Sequence, residues 1–150
     1  MKKIFHYLFL FIILCVASCS KLPCNDDLDG QWQLMQINTK AEPSDSTYTL
    51  QQQKKNDRVY WCFQLDLLMV QETTETPWIY ARFNHDNGYL DITSIYKNNR
   101  PEDSLITDPN TTMLEPIGIS GNAETFKVEK LSRKEMILTT KIKQLVFKKL

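Results

Sequence analysis

Few residues of this 150-residue chain are equipped for chemistry, and their spacing does not bring them together. The chain has two histidines, His6 and His85. His85 lies beside Asp86, a pairing that suits proton transfer or half of a metal site. Its neighbours Asn84, Asp86, Asn87 and Gly88 are turn formers, so a polar turn residue is the competing role. One imidazole with no spare thiol falls short of the three or four ligands a zinc site takes. Ser132 has no histidine placed to activate it. The glycines, at 30, 88, 118 and 121, are too scattered for a phosphate-binding loop. No catalytic residue, metal or cofactor is predicted, and an enzyme is the least supported function class. The remaining reactive side chains are four cysteines, Cys15, Cys19, Cys24 and Cys62.

Cys19 ends a distinctive N-terminal pattern. Lys2 and Lys3 are followed by an apolar run from Ile4 to Val16, interrupted by His6 and Tyr7, and then by Val16-Ala17-Ser18-Cys19. A bilayer-spanning helix needs about 20 apolar residues, so this run has the length of a signal-peptide core instead. The pattern resembles the lipobox of Gram-negative lipoproteins. That resemblance implies cleavage after Ser18 and lipidation of Cys19, with acyl chains giving stable anchoring at roughly 0.8 kcal/mol per buried methylene. Cys15 fits the lipidated position poorly, because Leu14 before it is not small. Ser20 rather than Asp after Cys19 resembles the outer-membrane sorting signal. The side of the membrane the domain faces stays open. An ordinary secretory signal, with Cys19 a bystander, is the alternative.

Three segments follow: a signal over 1–18, a lipidated tether over 19–29, and one domain over 30–150. Losing 1–18 removes two lysines and no acid, leaving 16 basic against 18 acidic residues and a net charge of −2. That balance carries no electrostatic footprint for nucleic acid. Cys24 and Cys62 remain, and an exported protein sits where disulfides persist. A Cys24–Cys62 bridge is expected, contributing roughly 3–4 kcal/mol by the chain-entropy model. The alternative is that Cys62 is a small buried apolar residue.

The segments that would position these residues alternate apolar and polar at period two. Gly30 to Ile37 reads as a first strand. Val59 to Gln71 reads as one long strand with the odd residues Val59, Trp61, Phe63, Leu65, Leu67 and Met69 inward, which puts Cys62 outside. Trp78 to Phe83 and Tyr89 to Tyr96 flank a turn over Asn84 to Gly88. Phe126 to Leu131 and Met136 to Thr140 flank Ser132 to Glu135. Lys141 to Lys149 is a last strand with Leu145 and Phe147 inward. Between Asn38 and Arg58 a weak strand at Ser46 to Leu50 and a helical turn at Gln51 to Asn56 are expected. Lys97 to Ala123 reads as mostly loop, with one short strand near Met113. Seven or eight strands with short connections suggest an all-β, antiparallel, up-and-down eight-stranded barrel, with a small β-sandwich as the alternative.

Gly30-Gln31-Trp32 resembles the Gly-x-Trp start of the lipocalins. Phe126 to Leu138 and Leu145 to Lys149 resemble the closing hairpin and last strand of small lipocalin-like bacterial lipoproteins. The resemblance implies a lipocalin-like barrel whose bottom is closed by Trp32. It does not imply a function, since a fold of this kind serves many.

Three roles are open. As a binding module, the chain would hold a small apolar ligand among Trp32, Trp61, Phe63, Leu65, Phe83 and Phe126, unless these residues are plain core. As an interaction protein, it would serve an envelope complex or inhibit an enzyme, using the face shared by Trp78, Tyr80 and Arg82. The enzyme reading comes third.

Overall fold

The computed structural model describes residues 25–72, 79–99 and 102–150. Alternation in the sequence becomes ten strands in one sheet. They are β1 (Gly30–Thr39), β2 (Leu50–Gln53), β3 (Tyr60–Gln64), β4 (Leu67–Gln71), β5 (Ile79–Asp86), β6 (Tyr89–Lys97), β7 (Ser104–Leu105), β8 (Glu124–Leu131), β9 (Glu135–Thr139) and β10 (Lys143–Lys149). Eight of these pair antiparallel in chain order (β1, β3, β4, β5, β6, β8, β9, β10), and β10 returns to pair with β1. This is a closed, antiparallel, eight-stranded up-and-down barrel, and closure leaves no long exposed edge. β2 extends the wall beside the upper half of β1, and β7 does the same beside β6.

The bottom of the barrel is built from tight turns. Asn87 and Gly88 both have positive φ, 50° and 78°, and join β5 to β6 as a two-residue hairpin. His85 therefore lies in β5, paired with Leu90, and not in the turn where the sequence suggested it. Leu65 and Asp66 form a second two-residue turn, between β3 and β4. This turn corrects the expected single strand from Val59 to Gln71. Pairing Phe63 with Leu68 and Trp61 with Val70 puts even-numbered residues inward after the turn. Leu65, expected inside, sits at the turn with φ 59° and 39% exposure. Leu67 also faces solvent.

The other corrections concern the two irregular stretches. Gln51–Gln53 pairs with β1 as strand and not as helix. The short strand expected near Met113 is at Ser104–Leu105, and a 3-10 turn at Glu115–Ile117 follows Met113.

The core lies inside the barrel. Trp32, Trp61, Phe63, Phe126, Phe147, Leu34, Leu68, Leu90, Ile92, Leu138 and Leu145 are buried there. Trp61 touches Phe63, Phe126 and Phe147 with ring centroids 6.1, 6.1 and 5.0 Å away, and Phe63 meets Phe83 edge-on at 5.1 Å. Such ring pairs add roughly 0.5–1.5 kcal/mol beyond the area they bury.

Residues 25–29 close the barrel from below. Asn25 donates through Nδ2 to the carbonyl of Leu65 at 2.7 Å and to Asp29 Oδ1 at 2.7 Å. Leu28 is fully buried, and Trp32 Nε1 donates to its carbonyl at 2.7 Å. Lys149 lies over the Trp32 ring, 4.9 Å from the centroid, and donates to the Asp27 carbonyl at 2.7 Å. Gly30 permits this approach. Its φ is +120°, and a Cβ there would come within 3.2 Å of Lys149 Cε.

Candidate functional site: the barrel mouth

The top of the barrel is organised differently. The connection from β7 to β8, residues 106–123, folds over the opening and buries Leu114, Ile117 and Ile119 against the core. Trp61 Nε1 donates upward to the Ile117 carbonyl at 3.1 Å, so the central core ring also fastens this plug. Gly118 follows in a left-handed conformation, φ 97°, with Leu145 side-chain atoms about 3.0 Å from where a Cβ would stand. A larger residue there would lift the plug or displace Leu145.

Two charged residues point inward beneath the plug. Lys143 begins β10 on the inward register that continues with Leu145 and Phe147, and is 8% exposed. Glu124 begins β8 on the register of Phe126. Lys143 Nζ donates to Glu124 Oε2 at 2.9 Å and to Ser120 Oγ at 2.8 Å, and sits 5.5 Å from the Phe126 ring centroid. Ser120 N–H donates to the same Glu124 oxygen at 2.7 Å. Burial raises the Glu124 carboxyl above its ordinary pKa, against the opposing pull of Lys143. Burial likewise lowers the Lys143 ammonium, while Glu124 and then Glu115 act to hold it up.

The contact between Ser120 and Lys143 has the composition of a serine–lysine nucleophile pair, a known triad variant. A general base must be neutral, however, and this lysine is ion-paired to a carboxylate at 2.9 Å. The geometry makes it a donor that holds the plug to the wall, not a base that activates Ser120.

Above the ion pair lies a cleft of about 490 Å³, open to solvent, between the plug and the top of β1 and β10. Ile37, Pro116 and Ile142 give it apolar surface, and Thr39, Gln52, Lys54, Glu115, Ser120 and Lys143 give it polar groups. Its size falls within the roughly 300–1,000 Å³ of small-molecule sites.

The sequence-predicted residues lie elsewhere. Trp32, Trp61, Phe63, Phe83 and Phe126 are together inside the barrel, and Leu65 is outside it. Cys62 is half-buried on the outer wall, has no disulfide partner among the described residues, and its pKa is raised by burial. Its expected partner Cys24, the lipidation residue Cys19 and Trp78 lie outside the described residues. Tyr80 and Arg82 do face outward, lining a shallow groove of about 360 Å³ with Leu67, Tyr96 and Asp103. Among the described residues no cluster of three or more His, Cys, Asp or Glu side chains could hold a metal ion.

A meander barrel closed by a tryptophan at one end and plugged at the other defines the class: a closed, eight-stranded, up-and-down antiparallel barrel. The chain belongs to the lipocalin-like domain family, whose model matches residues 12–150. Two crystal structures share the fold. A lipocalin-like protein from Bacteroides uniformis ATCC 8492 is 19% identical, with a TM-score of 0.56 over 83% of this chain and 100% of that one. An uncharacterized protein from Bacteroides eggerthii DSM 20697 is 18% identical, with a TM-score of 0.55 over 81% and 98%. No curated protein matches the chain by sequence.

Proposed function

We propose that the chain is a lipid-anchored protein of the outer membrane whose barrel binds a small ligand at its mouth, without catalysis. The lipobox-like Val16-Ala17-Ser18-Cys19 supports the anchor. The cleft of about 490 Å³ between the plug and β1 and β10 carries the binding reading. The ligand sits there and not among Trp61, Phe63 and Phe126, because those rings already contact one another and Ile117 and Ile119 cover them. In the oxidising envelope Cys62 pairs with Cys24, joining the lipidated segment to the outer wall.

Native mass spectrometry of the chain extracted from its own membrane tests the binding reading. A bound mass that leaves on denaturation, and that is missing from an Ile142→Trp variant with the cleft filled, supports it. A bare mass in both counts against it.

The outer groove favours a second reading, that of an interaction protein. Leu67, Tyr80 and Tyr96 expose apolar surface beside Arg82, a composition typical of protein contacts. Crosslinking from Tyr80 in cells distinguishes the two, since a reproducible envelope partner at that wall would move the function away from the mouth.

A further inference from the structure

We propose that the mouth cleft selects a ligand whose head group is an organic cation; the proposal rests on reading that cleft as the ligand site. The charges around it are unequal in availability. Lys54 lines the cleft with its side chain 13% exposed and is bound to Asp57 at 3.0 Å. Lys143 is bound to both Glu124 and Ser120. Glu115, at the start of the 3-10 turn in the plug, is exposed on the cleft wall and has no ion-pair partner among the described residues. Its field reaches Lys143. Two ammonium groups thus stand among three carboxylates, and the one charge without a partner is negative.

The consequence for recognition follows from what each head group must displace. An anion can reach an ammonium only by drawing Lys143 from Glu124 or Lys54 from Asp57. Taking Lys143 leaves a nearly buried carboxylate uncompensated, the arrangement that makes breaking a buried pair costly. It also frees Ser120, and with it the plug. A cation meets Glu115 and displaces only water. The apolar body of the ligand then lies on Ile37, Pro116 and Ile142, and the amide of Gln52 is within the same wall for a hydrogen bond. A tenfold preference between head groups corresponds to about 1.4 kcal/mol.

The test compares three head groups on one ring: benzyltrimethylammonium, benzyl alcohol and benzenesulfonate. Each is titrated calorimetrically into the full-length chain in nonionic micelles, with the Ile142→Trp variant as the blank for micelle partitioning. The ammonium is expected to bind about tenfold tighter than the sulfonate, and Glu115→Gln to bring it down to the level of the alcohol. Glu102→Gln, a carboxylate outside the cleft, is expected to change nothing. Equal binding of the three probes, or an unchanged Glu115→Gln variant, overturns the cationic preference while leaving a ligand site in place. Binding of all three that survives Ile142→Trp places the ligand elsewhere and overturns both readings.

Discussion

The two ends of this barrel use the same strands to opposite purposes. The bottom is closed by apolar packing, short hairpins and hydrogen bonds to backbone carbonyls: Leu28 and Trp32 are fully buried, two of the turns are two residues long, and Trp32 and Lys149 donate to the carbonyls of Leu28 and Asp27. The top is closed by a long crossing segment and a buried ion pair, with a cleft left beside them. A buried ion pair contributes little net stability against desolvation, so its presence at the mouth marks a place where the fold keeps polar groups that packing alone would have replaced. The bottom is the part that holds the barrel shut, and the top is the part that can exchange contacts with a ligand.

Substitutions at the two ends should separate these roles. Trp32→Ala removes the largest side chain of the closed end and is expected to cost about 3–5 kcal/mol, read as a lower urea midpoint for the whole domain. Trp32→Phe keeps most of the volume and loses the hydrogen bond to Leu28, leaving that buried carbonyl unpaired, for about 1–3 kcal/mol. At the mouth, Glu124→Ala strands Lys143 and is expected to cost about 3 kcal/mol, the low end for breaking a buried pair because water reaches the cleft. Replacing both partners, as Glu124→Leu with Lys143→Met, is expected to restore or exceed the original stability. If the double substitution costs as much as the single one, the ion pair stabilises the fold and the contrast between the ends fails.

The closed end was far more legible in the sequence than the mouth. Gly30-Gln31-Trp32, the Asn87-Gly88 turn and the inward pair Leu145 and Phe147 are local signals, each readable from a few adjacent residues. The turn at Leu65-Asp66 was missed because it carries no glycine, asparagine or proline, and a leucine at φ 59° is an uncommon choice. That one omission reversed the inward set for the rest of the segment and put Leu65 in the predicted ligand lining. The Lys143–Glu124 pair left a fainter trace. Each residue opens a strand on an apolar inward register, which is an odd place for a charge. Recognising them as partners needs β8 and β10 to be set one strand apart around a closed barrel, and no local pattern specifies that. The plug was invisible for a related reason: Leu114, Ile117 and Ile119 have neither strand nor helix periodicity, and only the barrel beneath them makes them core.

Acid titration sharpens the contrast further. Glu124 holds its proton to higher pH in the folded chain than in the unfolded one, because burial outweighs the pull of Lys143. Its contribution to stability is therefore greatest below the ordinary carboxylate range and is lost as pH rises through the elevated folded value. Urea midpoints measured upward from pH 4 should carry this slope in the native chain and lose it in the Glu124→Leu, Lys143→Met variant. Trp32→Phe, at the opposite end of the barrel from this pair, should leave the slope unchanged.

The smallest effect is expected at Trp61, where the two ends meet. Its ring belongs to the core and its Nε1 holds the plug at Ile117. Trp61→Phe keeps an aromatic ring in contact with Phe147 but removes the donor, at about 1 kcal/mol for one hydrogen bond together with some lost packing. The loss should be unevenly distributed. Amide exchange should quicken over residues 112–121, which this bond fastens, and change least in β8, β9 and β10, whose ladders do not depend on it. Uniform acceleration across the barrel would mean that plug and core open as one unit, so that the mouth has no separate freedom to admit a ligand. Acceleration confined to the plug would mean that a single indole N–H sets how readily the mouth opens above a core that stays closed.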